Sequence, residues 1–438
     1  MNWNGWMVAA FVAAGSIALP SLARAQAPLV TLDEARRRAG SVDPDAVAAR
    51  SQVDAAGWER RAAWADLFTP TLTAGVNYTH FSDPFFNFGT GAISPNATSA
   101  TLDARYTVLG VGKFGNLRSA RASLASAEAS ETATRFRTAL ATDQVYFAVL
   151  ANTELARVAT ERLRRAEEQF GVARVRVLAG EAIASDSLQL LLEVSRARIA
   201  MLSSDSALTT SRLSLGRQVG LSGPAEAAPI DSAILPPLPM TLDEAAAEMR
   251  ARGPEVEAAR AAERGADAVV LAMRERYLPE ITLGATTGAY DSELFPSALE
   301  RTQFSVAVSL PIWNGGQREL AVSRARAERN VARATRQERE RAAAEEIAQA
   351  YHGYLTSRAG IELAGVGVAA SAENYRVQRA RYREGATTIL DLLEAQVALS
   401  EAESDLVQAR YATRLALAQL EALLGRRIFE TSSTDSND

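Results

Sequence analysis

The sequence predicts a mainly α-helical chain with a β-barrel portion, in which long antiparallel helical hairpins are joined to four strands of membrane-spanning length. Three observations predict it. The same order of segments occurs twice along the chain. Each copy holds two runs of about ten residues that alternate apolar and polar, the length of a tilted membrane strand. Each pair of runs then leads into a proline-free stretch of about 65 residues, followed by a returning segment with seven-residue spacing.

The chain opens with an apolar stretch from Trp6 to Leu19, ended by Pro20 and followed by Ala23-Arg24-Ala25. Small residues at that spacing predict a secretory signal over 1–25, cleaved after Ala25, although no Lys or Arg precedes the apolar run. With no cysteine, N-terminal lipidation is ruled out. Beyond residue 25 no run of about 18 apolar residues occurs, so no transmembrane helix is expected. An exported chain of this kind is either soluble in the periplasm or crosses the outer membrane as strands.

The first repeat spans 26–220. Thr31-Leu32-Asp33-Glu34-Ala35 starts it, and a helix opened by Pro44 ends at Leu67-Phe68-Thr69-Pro70. A strand pair over 70–110 follows. Leu72, Ala74, Val76 and Tyr78 alternate with polar residues, as do Leu102, Ala104, Tyr106 and Val108. The residues between, 81–99, read as a Phe-rich loop with Gly, Pro, Ser and Asn. The turn Lys113-Phe114-Gly115-Asn116 leads into a helical hairpin over 114–220. Residues 221–240, rich in Pro and Ala, read as a linker.

The second repeat spans 241–428. Thr241-Leu242-Asp243-Glu244-Ala245 and Pro254 repeat the start, and Arg276-Tyr277-Leu278-Pro279 repeats the helix end. The strand pair covers 279–312, joined by a loop over 291–300. Trp313-Asn314-Gly315-Gly316 turns into a hairpin over 314–425, with Asn314 as a candidate cap. A proline-free helix of about 64 residues would be roughly 95 Å long. Gly180, Asp186 and Gly220 recur 205 residues later as Gly385, Asp391 and Gly425. Leu392, Leu399, Leu406, Thr413 and Leu420 form one line of the returning helix, and Ala395, Ala402, Ala409 and Ala416 the other, a large-and-small coiled-coil seam. The tail 429–438 is polar and reads as disordered.

Composition removes several classes. The net charge is −5, and nearly all positive charge is arginine spread along helices, so no nucleic-acid surface is expected. The absence of cysteine excludes thiol catalysis and disulfides. Two histidines, His80 and His352, without a carboxylate cluster leave no metal or catalytic constellation, so neither an enzyme nor a cofactor is expected.

Four strands cannot close a barrel, and open strand edges are not tolerated in lipid. Other copies must therefore complete it, and symmetric oligomers are the default; the number of copies stays open on these grounds.

In this order of segments the chain resembles the TolC-like outer-membrane efflux protein family. The resemblance is most specific over Tyr382-Arg383-Glu384-Gly385-Ala386-Thr387-Thr388-Ile389-Leu390-Asp391-Leu392-Leu393-Glu394-Ala395, which is similar to the family's periplasmic-tip segment. Leu310-Pro311-Ile312-Trp313-Asn314-Gly315-Gly316 is similar to its strand-to-helix junction. The resemblance covers about 31–428. It implies a homotrimer with a twelve-stranded outer-membrane β-barrel, an α-barrel tunnel of about 100 Å in the periplasm and an equatorial belt. The implied partners are a periplasmic adaptor (a membrane fusion protein), an inner-membrane transporter and outer-membrane lipid. The implied function is passive conduction in a tripartite efflux or type I secretion system.

Within that frame the candidate constriction is Asp391, Glu394, Tyr382 and Thr387. Asp391 and Glu394 lie three apart on one helix face. By resemblance they stand where the family carries lumen-facing aspartates, with Glu394 a departure. Carboxylates placed once per subunit at a narrow tip make a cation-attracting ring. Tyr382 matches a family tyrosine that holds the closed state by hydrogen bonds between neighbouring helices. Thr387 replaces an arginine, so that salt bridge is expected to be missing. Gly180, Glu181, Gly385 and Ala386 are the expected adaptor-contacting tips. The alternative, a soluble periplasmic coiled-coil scaffold or adaptor, explains the heptads and export but not four strands of membrane length. An exported hydrolase lacks a catalytic constellation.

Overall fold

The computed structural model describes residues 27–87, 91–110, 112–180, 183–231, 235–292 and 298–429. The expected signal peptide, Glu181 and the tail beyond 429 lie outside the described residues.

Each repeat opens with a capped helix. α1 (Leu32–Val42) begins at Thr31, whose hydroxyl accepts the Glu34 N–H at 3.3 Å, and α2 (Pro44–Phe68) begins at Asp43 with Pro44 in its first turn. Their counterparts in the second repeat are α5 (Leu242–Arg252) and α6 (Pro254–Glu275). There the capping box closes: the Glu244 carboxylate accepts the Thr241 N–H at 2.8 Å, whereas Glu34 turns away to Arg38 at 2.6 Å.

The helical hairpins are α3 (Lys113–Leu178) with α4 (Ala184–Gln218), and α7 (Gln317–Arg383) with α8 (Ile389–Leu424). The 66 residues of α3 run unbroken, which at 1.5 Å per residue is roughly 100 Å. α4 covers only one half of α3, and α2 covers the other half. Likewise α8 and α6 share the length of α7. At both hand-overs a glycine with positive φ lets the ends meet. A Cβ on Gly425 would lie 2.8 Å from the Pro254 ring, and one on Gly220 would lie 2.9 Å from Val42. The wall therefore has four helical columns, in the order α2/α4, α3, α6/α8, α7.

The strands keep that order. β2 (Thr71–Asn87), β3 (Ala92–Leu109), β5 (Glu280–Asp291) and β6 (Leu299–Ser309) form one antiparallel sheet, β2-β3-β5-β6. Two short strands, β1 (Leu29–Val30) and β4 (Glu226–Ala227), pair in parallel at mid-wall, where the Tyr146 hydroxyl donates to the Val30 and Ala228 carbonyls. Register fixes which side chains share a face. Leu72 pairs with Ala104, Ala104 with Ala285, and Ala285 with Phe304; Tyr106 pairs with Leu283, and Leu283 with Val306. Thr73, Asp103, Thr286 and Gln303 form a polar row on the opposite face, with Thr286 donating to Asp103 at 2.6 Å. One face of the sheet is thus apolar and bare, with Phe304 82% and Val306 71% exposed, and the outer edges of β2 and β6 are unpaired.

Three local expectations need correction. Residues 81–99 are mostly strand, not loop: β2 runs on to Asn87 and β3 starts at Ala92. The register shifts between His80 and Phe85, a stretch that holds Pro84, which has no N–H to give a ladder. His80 therefore lies inside a strand. Lys113–Asn116 already belongs to α3; the turn lies earlier, with Gly112 at φ 81°. Asn314 does not cap α7, which starts after Gly316 at φ 79°. Arg318 instead donates to the Pro311 and Ile312 carbonyls.

Candidate functional site

The two hairpin ends lie side by side. Gly180 and Gly385 adopt φ 75° and 72°, and each N–H closes its turn on a carbonyl three residues back, Val177 and Tyr382. Arg176 of α3 donates to the Tyr382 carbonyl at 2.8 Å and packs over the Tyr382 ring at 5.6 Å. Ala386 is exposed and returns its N–H to the Arg381 carbonyl at 2.8 Å.

Asp391 sits in the first turn of α8 as half of a capping box with Thr388. One carboxylate oxygen accepts from the Thr388 hydroxyl at 2.7 Å, the Thr387 hydroxyl at 2.8 Å and the Thr388 N–H at 3.0 Å. Hydrogen bonds from Thr388 first, then Thr387, hold the carboxyl below its ordinary range. Thr387, where the resemblance implies an arginine, thus orients the acid directly. Glu394 is exposed one turn further on and shares none of these hydrogen bonds.

Tyr382 stands apart from the carboxylates. It is 4% exposed, in a cluster with Ala173, Leu190, Tyr375, Ile389 and Leu392. Among the described residues its hydroxyl meets no acceptor in hydrogen-bond geometry, although the Asp186 carboxylate is near enough to act on it. Burial first, and the Asp186 charge second, raise the phenol above its ordinary range. Within this chain Tyr382 is held by packing and by the Arg176 cation-π contact, with Asp186 of the neighbouring helix α4 as the carboxylate beside its hydroxyl.

Sequence reasoning missed the ties between the two hairpins. Arg165 of α3 grips Glu403 of α8 at 2.8 Å, and Gln169 of α3 donates to the Tyr375 hydroxyl at 3.2 Å. Arg162 and Glu193, at 2.8 Å, tie α3 to α4. A signal existed for Asp186, which aligns with Asp391. At the position of Thr388 the first repeat has Ile183, so α4 lacks a side-chain cap and Asp186 is left to face Tyr382.

The sequence model of the family described as "Outer membrane efflux protein" matches residues 33–221 and 245–426, one segment per repeat. Among curated relatives, the Pseudomonas putida pyoverdine export outer membrane protein OpmQ is 28% identical over 360 residues, covering 76% of this chain and 70% of OpmQ. The Pseudomonas putida toluene efflux pump outer membrane protein TtgC is 24% identical over 330 residues, covering 72% and 67%. Among solved structures, VceC of Vibrio cholerae superposes with TM-score 0.75 at 19% identity, covering 91% of this chain and 97% of VceC. The open-state MtrE channel of Neisseria gonorrhoeae gives TM-score 0.75 at 20% identity, covering 91% and 89%. These superpositions show the fold, and the two-segment family match spans both repeats. The chain belongs to the outer membrane efflux protein family, and it is an outer-membrane efflux channel whose strands lie in the outer membrane and whose helices extend into the periplasm.

Proposed function

We propose that three copies of the chain close a twelve-stranded barrel and a helical tunnel, and that Asp391 and Glu394 form the constriction at its periplasmic end. The supporting observation is the sheet register. It collects the apolar residues of four strands on one face and leaves β2 and β6 without partners at opposite edges. Lipid would cover that face, and neighbouring copies would cover those edges. The helical columns end in the same way: α2/α4 and α7 stand at the flanks with exposed apolar residues, Ile199 at 68% on one and Leu363 at 73% on the other. A soluble scaffold would not need a bare apolar sheet face, and the family match removes that alternative.

At the tip, Gly180, Glu181, Gly385 and Ala386 are the proposed contacts for a periplasmic adaptor, which would connect the channel to an inner-membrane transporter. Tyr382 and Thr387 would support the constriction from behind, Tyr382 by packing and Thr387 by orienting Asp391. The relatives' cargoes differ, pyoverdine for one and toluene for another, so the likeness supports a duct without selecting its load.

Two measurements test the reading. In mild detergent the protein is expected to migrate as a trimer from outer-membrane fractions; a soluble periplasmic monomer would refute it. In planar bilayers, Asp391→Asn combined with Glu394→Gln is expected to weaken block by divalent cations added on the periplasmic side. Unchanged block would remove the constriction assignment while leaving the trimer intact.

A further inference from the structure

We propose that the cavity between the inter-repeat strap and the tunnel wall binds an anionic amphiphile, a carboxylate or phosphate head on a short hydrocarbon chain. The cavity has a volume of about 330 Å³. Its floor is α3 and α8, and its roof is formed by Ala227, Pro229, Ile230, Asp231 and Leu235. Val149, Leu150, Ile230, Leu235, Ile361 and Val407 supply apolar walls. Pockets of this size with apolar walls and a few convergent polar groups are typical small-molecule sites.

The lining holds three arginines and three carboxylates, but they do not pair one to one. Arg212 and Glu226 neutralise each other at 3.0 Å, and Glu154 is taken by Arg157 at 3.0 Å. That leaves Arg410 and Arg414 in the lining, with Asp231 as its one further carboxylate. Arg414 donates to the Asp231 carbonyl. Arg410 is exposed at the mouth and forms no hydrogen bond or ion pair among the described residues. One guanidinium therefore spends a donor on a backbone carbonyl rather than a carboxylate, and a second is unspent. Burial holds Arg414 below its ordinary range, the direction expected of a cation short of anionic neighbours, with Asp231 acting against it. Guanidinium forks match carboxylate and phosphate oxygens, and an apolar chain would fill the space behind them.

The test uses the full-length protein in nanodiscs, titrated by calorimetry with decanoate, decyl phosphate and decanol, with empty nanodiscs as the partitioning blank. Both anions are expected to bind at one per chain, and decanol about ten-fold more weakly or worse, since a charge-assisted hydrogen bond is worth roughly that factor. Whichever anion binds more tightly identifies the head group, a fatty carboxylate or a phosphate lipid fragment. Arg410→Gln, at an exposed position, is expected to cost the anions about ten-fold and leave decanol unchanged. Ala227→Phe, which fills the cavity from the β4 side, is expected to abolish all three. Equal affinity for decanol and decanoate, no binding at one per chain, or anion binding unmoved by Arg410→Gln would overturn the proposal. So would binding that survives Ala227→Phe in protein with wild-type thermal unfolding; should that variant not fold, Arg410→Gln decides. None of these results bears on the channel reading, which the bilayer measurement tests separately.

Discussion

At the first turn of α8 one carboxylate caps a helix and is also, in the proposed channel, a charge of the constriction. Asp391 is held below its ordinary pKa of 3.8 by hydrogen bonds from Thr388 and Thr387. A carboxyl whose folded pKa is depressed stabilises the fold above its unfolded value and loses that contribution as pH falls through the folded value. Both lie below the range in which envelopes work, so cation block from Asp391 should stay constant from about pH 8 to about pH 5. Titration of the block within that window would show that another group controls it. Tyr382 makes the opposite case. Among the described residues its buried hydroxyl makes no well-formed hydrogen bond, with Asp186 only nearby, so Tyr382→Phe should leave both unfolding and resting conductance nearly unchanged. Tyr382→Ala should cost about 3–5 kcal/mol through the cavity it opens. A large opening effect from Tyr382→Phe would restore the hydrogen-bond latch that the resemblance implied. The sequence made the Asp391–Glu394 pair visible by spacing. It could not show that Thr387 turns to Asp391, because a replacement for arginine reads as a loss until the hydroxyl has a direction.

Glycines separate the elements whose packing is set by sequence from those set by neighbours. Within α3, Gly115 lies against α6, where an added Cβ would come 2.5 Å from the Ala272 Cα, and its N–H donates to the Glu275 carboxylate. Gly171, on the same helix, has nothing within 4 Å of that position. Gly115→Ala should therefore destabilise by about 1–3 kcal/mol as an overpacked contact. Gly171→Ala should stabilise by about 0.5–1 kcal/mol through helix propensity. Chemical denaturation of both variants checks the pair, and a loss for both would mean that α3 tolerates no added methyl along its length. The heptad lines were legible for a related reason. Leu392, Leu399, Thr413 and Leu420 are all buried, because a coiled-coil seam is a one-dimensional pattern. The β2–β3 hairpin was less legible. Phe81, Phe86 and Ile93 mark strand, but Pro84 and Pro95 interrupt the alternation that identifies it, and a bulge restores pairing only in three dimensions.

For the molecule as a whole, the open edges of sheet and wall fall on the same two flanks, and this ties membrane insertion to assembly. Alternation within each strand could be read from sequence, but which strands would share a ladder could not, since β3 pairs with β5 across about 170 residues of chain. The register then decides which side chains meet lipid. Val306, in the middle of β6, shares the apolar face with Leu283, while Gln303 shares the polar face with Thr286. An arginine facing lipid near mid-membrane costs about 2–4 kcal/mol, and one facing a water-filled lumen costs little. Val306→Arg should therefore lower outer-membrane trimer yield and shift the denaturation midpoint, while Gln303→Arg should assemble normally and alter only conductance. The two positions are three residues apart on one strand, so strand propensity and local charge are nearly matched and only the face differs. If both variants assembled equally well, the bare apolar face would not be the surface in contact with lipid, and the closed trimeric barrel that depends on it would have to be given up.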